Sequence, residues 1–203
     1  LKTLENGMRI VDIEGKNKES ILLINGTANL NAYEPLKQHK EFIREQRPPF
    51  FQIAIPRDHE LKNNGKIFAF LPTEISTETP IDINGMFFPV TSRKTIKFSE
   101  DYLDLEATWN SCLLQSAGLH FAQESADVLS QVGNLSFSYI LESFRRLHKN
   151  TLKSSNGLEI AKRYFWEAVS KEVASLKFIE NIKGELISPR EAVVLFREAN
   201  EFR

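Results

Sequence analysis

The run Lys66-Ile67-Phe68-Ala69-Phe70-Leu71-Pro72-Thr73-Glu74 is followed by a polar break and then by Thr79-Pro80-Ile81-Asp82-Ile83-Asn84-Gly85-Met86-Phe87-Phe88-Pro89-Val90. Ser92-Arg93-Lys94-Thr95-Ile96 closes the stretch. Two apolar, aromatic-rich runs of strand length flank residues 73–80, which predicts paired strands of one sheet. Asn84-Gly85 interrupts the second run. It is either the turn of a hairpin or a bulge at which glycine supplies an unusual backbone angle. Pro89 has no N–H to donate, so that end of the strand is expected at a sheet edge.

On the N-terminal side, Met8 to Ile13 and Ile21 to Ile24 carry strand patterns around the polar Gly15-Lys16-Asn17-Lys18. They predict a hairpin whose second strand ends at Asn25-Gly26. Pro35 suits the first turn of a short helix through Phe42 and Ile43, which must stop before Pro48-Pro49. Phe50 to Ile55 reads as a buried strand ended by Pro56, and Asn63-Asn64-Gly65 as a turn.

On the C-terminal side the character changes. Residues 98–108 carry Glu100, Asp101, Asp104 and Glu106 and read as an acidic connector. From Thr108 the period is helical, with Trp109, Leu113, Ala117, Phe121, Val128 and Val132 on one face. Gly118, Ala122 and Ala126 form a strip of small residues that another element could approach closely. Asn134 is expected to cap a second helix bearing Phe137, Ile140, Leu141, Phe144 and Leu147. A third follows Asn156-Gly157, with Ala161, Phe165, Ala168, Val169 and Val173 inward. Lys183-Gly184 is a turn before a short strand at residues 185–187. Ser188-Pro189-Arg190-Glu191 has the form of a capping box for a helix over residues 192–202. The expected class is therefore α+β, with a mixed or antiparallel sheet in the N-terminal half and a helical C-terminal half. The halves divide as 1–105 and 106–203, or fold as one continuous domain.

Composition narrows the function classes. The chain has 203 residues, 41% hydrophobic and 26% charged, enough for a sizeable core without metal or disulfides. The formal net charge of −1 argues against a dedicated nucleic-acid binder, which usually carries a strong basic excess. Cys112 is the single cysteine, so an internal disulfide is impossible and a cytoplasmic setting is expected. No run approaches membrane-span length, and no signal peptide opens the chain. A first residue of Leu rather than Met suggests a fragment of a larger protein.

Chemistry-bearing motifs are scarce. His39, His59, His120 and His148 lack metal-ligand spacing, and no nucleophile elbow, dinucleotide fingerprint or Walker loop occurs. Cys112, one turn from Trp109 on an apolar helix, reads as a buried structural thiol. Arg145, Arg146, His148 and Lys149 sit near the end of the second helix, where cations complement the helix dipole. Arg93-Lys94 reads first as an exposed loop. A loop with Ser92, Arg93 and Lys94 can nevertheless reach a phosphate, because arginine offers a planar fork of donors and lysine a mobile charge.

Three separated stretches carry a resemblance. Residues 66–96, the pair Trp109-Asn110, and Lys183-Gly184-Glu185-Leu186-Ile187-Ser188-Pro189-Arg190-Glu191-Ala192-Val193 occur in the order seen after the ATP-binding domain of sacsin-like proteins. Those proteins are similar to the GHKL ATPases, the group that includes the heat-shock-90 chaperones. The resemblance implies a middle or coupling domain with no catalytic residues of its own. ATP and Mg²⁺ would be held by a preceding ATPase domain of the same chain, and the fragment would hold no metal. It further implies that Arg93 or Lys94 contacts the γ-phosphate from that domain, with Asn84, Gly85, Phe87, Trp109 and Asn110 as motif positions. Expected partners are that ATPase domain, protein clients and further copies of the chain, without membrane or nucleic acid. Two readings of other classes stay open. One is a stand-alone interaction module using the Gly118, Ala122 and Ala126 strip. The other, less favoured, is a nucleic-acid-associated subunit using Arg145, Arg146 and Lys149.

Overall fold

Phe51, Ile53 and Ile55 are almost fully buried, and the residues between them are half-exposed. This two-residue period marks a strand with one face on a core. The computed structural model describes residues 2–4, 8–13, 19–32, 36–38, 47–57, 61–99, 104–151 and 157–192. Its strands are β1 (Lys2–Thr3), β2 (Arg9–Ile13), β3 (Glu19–Thr27), β4 (Phe50–Pro56), β5 (Lys66–Ala69), β6 (Leu71–Ser76) and β7 (Asp82–Gly85). They form one seven-stranded sheet in the order β1-β2-β3-β4-β7-β5-β6. Neighbours are antiparallel except β5 and β7, which run parallel with Ile67 opposite Ile83, so the sheet is mixed.

The second half is helical: α1 (Leu105–Gln123), α2 (Ser125–Val132), α3 (Asn134–Thr151) and α4 (Gly157–Val173). A two-stranded ribbon, β8 (Ile179–Glu180) with β9 (Leu186–Ile187), follows them. The chain is thus α+β, sheet first and helices after. Trp109, Cys112, Leu113 and Phe121 of α1 share one buried cluster with Leu22, Ile24, Phe51 and Ile53 of the sheet. Phe144 and Phe165 extend that cluster into α3 and α4, their rings edge to face at 5.3 Å between centroids.

Several local expectations are corrected by longer-range packing. Asn25-Gly26 does not end β3, which continues to Thr27 with Gly26 opposite Phe51. A side chain at Gly26 would bring its Cβ within 2.2 Å of the Phe51 ring, so the glycine makes room for that ring rather than for a turn. His120 Nε2 donates to the Asn25 carbonyl at 3.0 Å and packs edge-on against Phe51, a structural histidine joining helix to sheet. The polar break at residues 73–80 contains most of β6, an outer strand of the sheet. Its polarity is that of a strand with one buried row: Thr73 and Ile75 point inward, while Glu74 and Ser76 are exposed.

Asn84-Gly85 is neither turn nor bulge. Both residues lie in regular register, opposite Gln52 and Phe51 of β4. The acidic connector is shorter than expected, because α1 begins at Leu105 with Asp104 capping it through the Ala107 N–H at 3.1 Å. The expected single helix through Val132 is broken at Glu124 into α1 and α2. Asn134 is the first residue of α3, not its cap.

The small-residue strip is met by the chain itself. A Cβ on Gly118 would lie 2.7 Å from the Phe165 Cα, so the glycine lets α4 pack directly on α1. Gly118 and Ala122 are buried, and only Ala126 of the three is exposed. Half of the capping box forms: Glu191 Oε2 accepts from the Ser188 N–H at 2.9 Å, but the Ser188 hydroxyl also donates to it, at 3.0 Å, and the Glu191 N–H goes to the Ser188 carbonyl. The bonds that the carboxylate accepts hold Glu191 below its usual range. Most of the helix it would start, the loop at residues 14–18, most of the helix at 35–43, and Glu100 and Asp101 lie outside the described residues.

Candidate functional site

Asp82 and Asn84 are two residues apart on β7 and so share one side of the strand. Each accepts a backbone N–H from one end of the neighbouring β5 segment. Asp82 Oδ1 takes that of Lys66 at 2.7 Å and Asn84 Oδ1 that of Phe70 at 3.2 Å. Burial raises the Asp82 pKa, and the Lys66 N–H partly offsets this. The Asn84 bond falls on a residue with φ +64, left-handed backbone that costs a non-glycine residue about 1–2 kcal/mol. The tight β5–β6 bend therefore presents Phe70 and Leu71 to solvent, 63% and 61% exposed.

Beyond β7 the chain is held from the helical half. Trp109, fully buried, donates its indole N–H to the Met86 carbonyl at 2.9 Å. The Asn110 side chain, also fully buried, accepts from the Phe88 N–H at 2.7 Å. It donates to the carbonyls of Phe88 at 2.9 Å and Lys97 at 2.8 Å. Gly85 leaves room for the Phe87 ring, which a Cβ there would meet at 2.9 Å. The five motif residues thus converge on one segment. Asn84 supports the bend, Gly85 and Phe87 fill the core beneath it, and Trp109 and Asn110 fix the backbone of residues 86–88.

That backbone is the stem of a small hairpin. Lys97 N–H donates to the Phe88 carbonyl, Pro89 bridges Ile96, and Val90 N–H donates to the Thr95 carbonyl. Arg93 lies at the tip with φ +58, its N–H on the Val90 carbonyl at 2.8 Å. Among the described residues, none pairs with its guanidinium. Lys94 differs. Its ammonium lies 3.0 Å from the Glu74 carboxylate, and its carbonyl accepts the Glu74 N–H at 2.7 Å. The adjacent pair is therefore split: Lys94 ties the hairpin to the outer strand, and Arg93 is left available.

Arg93 shares a groove of about 380 Å³ with Arg47, Phe70, Leu71, Met86 and Pro89. Arg47 was not singled out by the sequence. It donates to the Phe87 carbonyl at 2.8 Å and lies over the Phe88 ring at 4.3 Å, so its guanidinium is oriented before any ligand arrives. Among the described residues, no carboxylate lines the groove. Size, apolar walls and few cations suit an anionic ligand with an apolar part.

The remaining sequence candidates are engaged elsewhere. Asp104 and Glu106 pair with Lys97 at 3.2 and 3.0 Å, and these bonds raise the lysine pKa. Arg145 and Arg146 both bind Glu142, at 2.6 and 3.0 Å, which pulls its carboxyl down to about 2. Among the described residues, no group of three or more His, Cys, Asp and Glu side chains could hold a metal, and no helix is long and apolar enough to cross a membrane. No family model, curated protein or solved structure is significantly similar to this chain.

Proposed function

We propose that this chain is the coupling domain that follows the ATP-binding domain of a sacsin-like, GHKL-type ATPase, and that Arg93 is the side chain it lends to the γ-phosphate. The observation that carries the reading is the state of Arg93. A guanidinium with no partner among the described residues sits on a left-handed residue at the tip of a hairpin whose stem is fixed by Trp109 and Asn110. A planar, permanently charged fork held there suits a terminal phosphate. Of the pair Arg93 and Lys94, the contact is assigned to Arg93, whose planar fork suits a terminal phosphate; Lys94 meets Glu74 in an exposed ion pair.

In this reading Mg²⁺ and the rest of the nucleotide belong to the preceding domain. Domain closure brings Arg93 to the phosphate, where its charge stabilises the transition state more than the ground state. Opening after hydrolysis removes the contact and passes nucleotide state to the helical half through Trp109 and Asn110. The working setting is the cytoplasm, and protein clients and self-association are the expected partners. The coding sequence immediately upstream of Leu1 tests this. An ATP-binding domain there supports the reading, and a start codon a few residues before Leu1 overturns it.

A further inference from the structure

We infer that Arg47 and Arg93 together form a site for a phosphate monoester whose organic part rests on Phe70, Leu71 and Met86. The choice of phosphate is consistent with the coupling-domain reading and rests partly on it; the site itself is argued from the groove. Arg47 and Arg93 line one groove of about 380 Å³, and among the described residues no acidic side chain lines it. Two positive charges match a dianion better than a carboxylate's single charge.

Arg47 is held by the Phe87 carbonyl and the Phe88 ring, and one bond to a carbonyl leaves most of its five N–H donors for a ligand. Because that guanidinium is already oriented, little of its rotamer freedom is lost on binding. The remaining walls are apolar, with Phe70 and Leu71 largely exposed. Bare phosphate would leave those walls uncovered, whereas an organic phosphate covers them. Phe70 and Arg93, the two left-handed residues on this groove, stand on its apolar and its cationic parts. Backbone strain of this kind collects where side chains must be held for a ligand.

The test uses the chain itself, titrated with phenyl phosphate, inorganic phosphate and phenylacetate at low ionic strength, with backbone amide shifts in NMR as the readout. Phenyl phosphate should bind about tenfold tighter than inorganic phosphate, and phenylacetate more weakly than phenyl phosphate. Arg93→Gln, at an exposed tip, and Arg47→Lys, which keeps the charge but not the fork, should each weaken phenyl phosphate about tenfold. Leu71→Ser should narrow its advantage over inorganic phosphate. Equal affinities for the two phosphates, equal binding of phenylacetate, or no loss in Arg47→Lys with native amide dispersion overturns the inference. An effect of Arg93→Gln without one of Arg47→Lys sinks this inference and leaves the coupling reading intact. Binding through both arginines, with ATP turnover insensitive to Arg93, sinks the coupling reading alone.

Discussion

The Asn110 side chain and the Phe88 backbone exchange two hydrogen bonds: the amide oxygen accepts the Phe88 N–H at 2.7 Å and the amide nitrogen donates to its carbonyl at 2.9 Å. An asparagine thus plays the part of a neighbouring strand for a residue that has left the sheet. Its third bond, to the Lys97 carbonyl, ties both arms of the Arg93 hairpin to α1. The helix and the arginine are mechanically one unit.

Replacing Asn110 with leucine should therefore cost about 1–3 kcal/mol, because the half-buried Phe88 N–H and Lys97 carbonyl lose their Asn110 partner. Urea unfolding measures it. A loss under about 0.5 kcal/mol would mean that the hairpin stands without Asn110.

Stability and function should separate at Arg93. Glycine relieves the left-handed backbone, so Arg93→Gly is expected to leave stability unchanged or raise it by about 1 kcal/mol. The same change should weaken phosphate-ligand binding as much as Arg93→Gln does. Thermal unfolding and the phosphate titration read the two effects on one variant.

Gly118→Ala tests the joint between α1 and α4. The added methyl would meet the Phe165 backbone at 2.7 Å, and backbone cannot rotate away. A destabilisation of about 1–3 kcal/mol is expected in chemical denaturation despite alanine's better helix propensity.

Burial pushes the Cys112 thiol up to about 12 from 9.0, with its weak hydrogen bond to Ser116 acting the other way. Its proton is held more tightly in the folded state than in the unfolded one. Between those values the unfolded chain ionises first, so stability falls as pH rises from about 9 towards about 12 and is unaffected by this group below 9. Native protein should react with a thiol reagent at pH 8 only as fast as it opens, and with full speed in denaturant.

Much of this architecture was legible in the chain. Residues 50–55 were legible as a compact apolar run of strand length, and the helix from Trp109 as a long apolar segment, although α1 is buried on more than one face. The capping box at Ser188 and Glu191 is a local device and reads locally. What was missed depends on partners distant in sequence. Gly26 looks like a breaker until Phe51 is placed on it, and Gly118 looks like a vacant seam until Phe165 fills it. Asn84-Gly85 has turn chemistry, yet β4 on one side and β5 on the other hold it in a strand. At the candidate site, Arg93 and the motif residues were marked in advance. Arg47 was not, because its value comes from Phe87 and Phe88, some forty residues on. Left-handed backbone at Phe70 had no glycine or asparagine to announce it.

The most direct measurement of the proposed coupling role is ATP turnover of the full-length protein, compared between native and Arg93→Ala at saturating ATP. Removing a charge that acts on the transition state should lower kcat about a hundredfold, while nucleotide affinity, set in the other domain, stays within about threefold. Lys94→Ala should change kcat far less, because the phosphate contact is assigned to the Arg93 fork. Native kcat in Arg93→Ala would contradict the account.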